Sequence, residues 1–188
     1  MINVKVEVSA RHAHLTQFDL DAIFGEGYEL KKEKDLSSGE YSSIDTITLV
    51  GPKKSLENVR VIGPCRGHTQ IEVSRTDSHY LGIKTPLRLS GKIIRSGPIK
   101  LVGPKGELEL EEGLIVAKRH VKVNPNRAAE LNLTNSQVVK IKIDGPRALV
   151  FEEVEIRVAE DYDFVFVIDT DEANAAGIEG KGEGELVI

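Results

Sequence analysis

Ser9-Ala10-Arg11-His12-Ala13-His14-Leu15 returns in altered form as Ala117-Lys118-Arg119-His120-Val121-Lys122-Val123. Each copy follows a β-like run. A short helical run comes next, Thr16 to Gly25 after the first copy and Asn124 to Leu133 after the second. A recurrence of this kind points to an internal duplication, hence to two similar halves. The correspondence extends further. Leu81-Gly82-Ile83 matches Ala176-Gly177-Ile178, and Thr76-Asp77 matches Thr170-Asp171. Registering on the two glycines puts Glu72 and Val167 at the same position.

Working outward, Ile2 to Val8 alternates apolar and polar residues as a half-buried strand does. Ile44–Val50, Val59–Ile62, Thr69–Ser74, Val138–Ile143, Ala148–Phe151, Val154–Val158 and Phe164–Ile168 read as further short strands. Ile99–Val102 and Leu108–Leu110 form a hairpin around Gly103-Pro104-Lys105-Gly106, and Leu114–Ala117 leads into the second Arg-His. Thr16 can N-cap a helix with Asp19 at its third position and Gly25 as its stop. Asp77–Leu81 and Asp171–Ala176 are helical turns closed by Gly82 and Gly177. Gly27–Ser43 is polar and turn-rich, with Glu29–Asp35 a solvated, charge-rich loop. Many short strands with only short helices favour a barrel or a sandwich over a doubly wound parallel sheet, which needs long crossover helices. The expectation is an all-β protein with short capping helices, built as two similar small β-barrels. One would comprise residues 1–10 plus 118–188 and contain both termini; the other would comprise residues 11–117.

The bulk properties remove several function classes. The 188 residues are 29% charged and 40% hydrophobic, with a net charge of −5 and 5% aromatic residues. That acidity and scarcity of stacking rings disfavour a nucleic-acid surface. No apolar run approaches the roughly 20 residues of a membrane span. A single cysteine, Cys65, precludes an intrachain disulfide and fits a reducing compartment. The expected location is the cytoplasm, with the first strand starting almost at Met1 and no targeting or encapsulation extension before it.

Residues two apart on a strand face the same way, so His12 and His14 project together, their Cα atoms roughly 6.5 Å apart. Two imidazoles so placed can converge on one metal, zinc being the natural ion, with a third ligand from elsewhere. The alternative is two hydrogen-bonded polar side chains.

Taken together, Ser9–Leu15, Gly63-Pro-Cys-Arg-Gly-His-Thr-Gln-Ile-Glu-Val-Ser-Arg-Thr-Asp77, Leu101–Gly106, Lys118-Arg-His120 and Ile168-Asp-Thr-Asp-Glu-Ala-Asn-Ala-Ala-Gly177 closely resemble PduL-type phosphate propanoyltransferases. The resemblance spans essentially the whole chain. It implies two β-barrels with the active site between them, two zinc ions, and coenzyme A as substrate. It also implies reversible transfer of a short acyl group between acyl-CoA and phosphate, giving acyl phosphate. By the same resemblance His12, His14 and Glu72 hold the first zinc, Arg66 is the catalytic arginine that grips phosphate, and His120 is one ligand of the second zinc. A homodimer is compatible with it.

The chain departs from the family pattern at the second site. Lys122 stands where a histidine is usual two residues after His120, and Val167 stands where a histidine precedes the Ile-Asp-Thr-Asp motif. One zinc site is therefore expected, with the second weak or absent. Lys122 is read as a candidate substitute cation that holds phosphate or an oxyanion; the other reading is a solvated residue. The alternative function is a weakly active or inactive paralogue that binds CoA, one zinc, or both. Of the remaining candidates, His68 and His79 are read as surface residues. Cys65 is read as a small buried residue rather than an acyl carrier, and Gly51-Pro-Lys53 and Gly103-Pro-Lys105 as turns.

Overall fold

The computed structural model describes residues 2–36 and 39–187. In chain order the elements are β1 (Ile2–Ser9), β2 (His12–His14), α1 (Gln17–Phe24), β3 (Lys32–Asp35), β4 (Tyr41–Val50), β5 (Ser55–Gly63) and β6 (Gln70–Val73). Next come α2 (Arg75–Leu81), β7 (Leu87–Arg88), β8 (Gly97–Val102), β9 (Glu107–Ala117), β10 (His120–Val123) and α3 (Pro125–Glu130). The last are β11 (Val138–Ile143), β12 (Leu149–Val158), β13 (Val165–Asp169), α4 (Thr170–Ala176) and β14 (Lys181–Val187).

The chain forms two compact units, Met1–Ser9 with Lys118–Ile188 and Ala10–Ala117. In the second, pairing runs β4-β5-β2-β6-β9-β8 and returns to β4, closing a six-stranded barrel, with β3 added beside β4 and β7 beside β9. In the first, β11-β12-β10-β13-β1-β14 closes another six-stranded barrel. The two rings match strand for strand, including the sense of pairing. β2 runs parallel to β5 and antiparallel to β6, as β10 runs parallel to β12 and antiparallel to β13. β9 runs parallel to β6 as β1 does to β13. The strand leading into each Arg-His stretch thus closes the other unit's barrel: β1 precedes β2, and β9 precedes β10.

Each barrel encloses its own core. Leu15, Ile23, Leu49, Val61, Ile71 and Leu101 fill the 10–117 unit, and Val6, Val121, Ile141, Ile156 and Phe166 fill the other. The helices are short because their caps bound them tightly. Ser74 and Asp77 form a capping box at the start of α2, as Asp169 and Glu172 do for α4, and left-handed Gly82 and Gly177 end both helices. The Gly-Pro-Lys turns belong to the same design. The Lys53 N–H donates to Leu81 O at 3.1 Å and the Lys105 N–H to Ile23 O at 3.0 Å, satisfying carbonyls at the ends of α2 and α1.

Four details correct the sequence reading. The polar stretch Gly27–Ser43, with the supposed loop Glu29–Asp35, carries the exposed strand β3 and the start of β4; Ser37 and Ser38 lie outside the described residues. Ala148–Phe151 and Val154–Val158 are one strand, β12, with Glu153 at φ +54° between the two runs and a register shift against β11. β7 and β14 were not anticipated. β14 is masked by Gly182 and Gly184, yet a Cβ at Gly184 would come within 2.8 Å of Ile141 and Ile143 side chains. Close strand packing in the barrel demands glycine there, against ordinary strand preference.

Candidate metal-binding site

The site is built on two adjacent strands of the 10–117 barrel. β2 and β6 run antiparallel, His12 opposite Glu72 and His14 opposite Gln70. Alternation then puts all four side chains on one face. β2 is only three residues long and is fixed at its far end by α1. Thr16 caps that helix through its hydroxyl, and its N–H donates to Thr69 Oγ1 at 3.0 Å, one residue before β6.

Among the described residues, His12, His14 and Glu72 bring one donor atom each to within 4.8 Å of one another. The two Nε2 atoms are 3.1 Å apart, and His12 Nε2 is 3.8 Å from Glu72 Oε2. Two ligands each about 2.05 Å from a tetrahedral zinc ion lie about 3.3 Å apart, so these separations fit one shared ion after small adjustment. The His12 ring is held for this role: its Nδ1 lies 2.8 Å from Ala10 O, which can only accept, so Nδ1 carries the N–H and Nε2 is turned to the cluster. His14 is 2% exposed and Glu72 8%. Burying two imidazoles around a carboxylate is costly unless a cation or proton is shared among them. Two nitrogens and one oxygen with an open fourth position form the donor set of a catalytic zinc.

Arg66 lies in the connection between β5 and β6. Its N–H donates to Leu15 O at 2.8 Å and its guanidinium pairs with Glu40. The turn is shaped by close packing, since a Cβ on Gly63 would overlap the Tyr41 ring next to Glu40. Cys65 packs against the core, and burial pushes its thiol up, with Asp21 adding in the same direction. That holds it as a neutral thiol at physiological pH. His68 and His79 are exposed.

In the other unit His120 repeats the anchoring of His12, its Nδ1 3.0 Å from Lys118 O. Its neighbours differ. Val167 stands opposite His120 and Val165 opposite Lys122, so apolar residues occupy the places of Glu72 and Gln70. The Lys122 ammonium lies over the Tyr162 ring, 5.4 Å from its centre.

Gln70 went unnoticed in the sequence. It is 1% exposed, and its amide nitrogen donates to Glu72 Oε1 at 2.7 Å. The available signal was its place two residues before Glu72 on one strand face. Arg11 was likewise overlooked beside the histidines. It forms a two-pronged pair with Asp77, at 3.0 Å from Nε and 2.8 Å from the terminal nitrogen.

The family profile described as phosphate propanoyltransferase matches residues 5–179. The chain is 49% identical over 176 residues to the phosphate propanoyltransferase of Lachnoclostridium phytofermentans, covering 93% of this chain and 83% of that one. It is 47% identical over 184 residues to the Thermotoga maritima enzyme of the same name, covering 97% and 86%. With that of Salmonella typhimurium it shares 45% over 176 residues, covering 93% and 83%. On the match along nearly its whole length, this chain belongs to the phosphate propanoyltransferase family.

Proposed function

We propose that this protein reversibly transfers a short acyl group, propanoyl or acetyl, between coenzyme A and phosphate, with one zinc ion held by His12, His14 and Glu72. The convergence of these three donors in a chain of this family supports the reading most directly. Zinc in such a set supplies Lewis acidity towards the departing CoA sulfur, which leaves more readily as a thiolate. The protein's own residues do the rest. His12 keeps Nε2 available through its bond to Ala10 O, and His14 and Glu72 complete the donor set. Arg66 grips phosphate with paired, permanently charged donors, phosphate taking the place of Glu40 on the guanidinium. A phosphate oxygen then attacks the thioester carbonyl carbon, the C–S bond breaks, and acyl phosphate and CoA result. A single cysteine and the absence of any described helix long and apolar enough to cross a membrane fit action in the cytoplasm.

A second reading rests on the valines opposite His120 and Lys122. In it the protein is a weakly active or inactive paralogue that binds CoA, one zinc, or both. Under the first reading Lys122 supplies the positive charge that a second metal would otherwise bring. Lys122→His with Val167→His should then raise zinc content from about one towards two per chain.

The deciding experiment follows thioester formation from acetyl or propanoyl phosphate and CoA by absorbance, on protein of measured zinc content. Activity with about one zinc per chain, lost in His12→Ala, is the expected result. Inactive protein that still binds CoA with zinc supplied would establish the second reading.

A further inference from the structure

We propose that Gln70 is the positioning residue that sets how Glu72 meets the metal: its amide occupies Oε1 and leaves Oε2 alone to the ion. The proposal rests on the metal reading above. Gln70 is 1% exposed, and both ends of its amide are engaged. Nε2 donates to Glu72 Oε1 at 2.7 Å and to Ser90 Oγ at 2.9 Å, and Oε1 accepts the Gly91 N–H at 2.7 Å.

These partners fix the amide's orientation. The Gly91 N–H can only donate, so the amide oxygen must face it and the amide nitrogen faces Glu72; the flipped amide would set N–H against N–H. Oε2 is the oxygen that faces His12 Nε2, at 3.8 Å. A carboxylate held in this way binds through one oxygen and keeps the metal's remaining position open for substrate. Gln70 also stands opposite His14 on β2, in register with the donor face. Through Ser90 and Gly91 it ties that face to the connection between β7 and β8. The other unit has Val165 at the matching position, so the brace exists in one half only.

Gln70→Met keeps the length and volume and removes the hydrogen bonds. Its zinc dissociation constant, measured by chelator competition, is expected to rise about 10–100-fold. In the cobalt-substituted variant the visible bands should weaken as Glu72 turns to offer both oxygens and coordination rises from four to five, a change that mere loss of packing would not produce. Zinc affinity within about twofold of wild type, with an unchanged cobalt spectrum, would overturn the proposal. Should Gln70→Met fail to fold, a crystal structure of the zinc-loaded wild type decides the matter. Metal on Oε2 with Gln70 still on Oε1 supports the proposal, and both oxygens on the metal overturn it. Wild-type protein that binds no zinc would overturn this proposal together with the metal reading. Wild-type protein that binds zinc but transfers no acyl group would overturn the proposed function and leave the role of Gln70 standing.

Discussion

Arg11 and Arg119 show how the repeated Arg-His is used. Each arginine grips the acid at the third position of a helix: Arg11 holds Asp77 of α2, and Arg119 holds Glu172 of α4 at 2.7 Å. The same acids receive the N–H of the cap residues Ser74 and Asp169. In the first copy Arg11 and His12 thus divide the work, one fastening the fold and the next facing the cluster. Arg11→Met removes the arginine from the buried Asp77 carboxylate, which keeps its bond from the Ser74 N–H. Urea denaturation should show a loss of about 1 kcal/mol, kept small because Arg11 is itself half-exposed. Asp169 gives a pH signature. Burial raises its carboxyl from 3.8 to about 6, against the hydrogen bond from the Glu172 N–H. The folded state therefore holds this proton more tightly than the unfolded chain. Its contribution to stability falls as pH rises from about 4 through 6, and the full cost is present above that. Asp169→Asn keeps a capping acceptor, so its melting temperature should fall less than that of wild type between pH 4.5 and 7.5. Equal slopes in the two proteins would contradict this assignment. In the sequence the histidines were legible because their chemistry is distinctive. Gln70 and Arg11 were not, because Ser90 and Gly91 lie 20 and 21 residues from Gln70, and Asp77 lies 66 residues from Arg11, so that only the folded chain brings them near.

At the scale of elements, the Gly-Pro-basic turns act as clamps on helix ends. A Cβ on Gly51 would lie 2.3 Å from Leu81 O and 2.8 Å from Leu81 Cβ, so only glycine lets the turn reach the last carbonyl of α2. Arg147, after Gly145-Pro146, donates to Ala175 O at 3.2 Å and does the same for α4. Gly51→Ala should cost about 1–3 kcal/mol, with hydrogen exchange fastest in α2 and unaltered in the 118–188 barrel. The elements that could be read in advance were those whose burial pattern is regular, such as β11, which alternates exposed and buried residues along its whole length. β3 escaped because all four of its residues are exposed, so no apolar alternation marks it. β14 escaped because its glycines serve packing rather than a turn.

For the whole molecule, the duplication was legible because it preserves strand order, pairing sense and caps, while side-chain chemistry has diverged to valine at two positions of the second half. All three proposed metal ligands belong to the 10–117 unit, whose ring of strands and core are complete without the rest of the chain. A fragment of residues 10–117 is therefore expected to fold, giving dispersed amide signals, and to bind zinc with affinity lost in His12→Ala. The 118–188 fragment lacks β1, which pairs with both β13 and β14, and should stay unfolded until residues 1–9 are supplied as a peptide. The exchange of closing strands also imposes an order on biosynthesis. The 10–117 barrel has every strand it needs once Ala117 has left the ribosome. β1, made earlier, must wait for Val165 and beyond before it can pair. At ~5–20 residues per second that interval is about 8–30 s. Throughout it Ile2, Val4, Val6 and Val8 are exposed on a nascent strand without its partners, so the N-terminal segment is where chaperone binding during translation should concentrate.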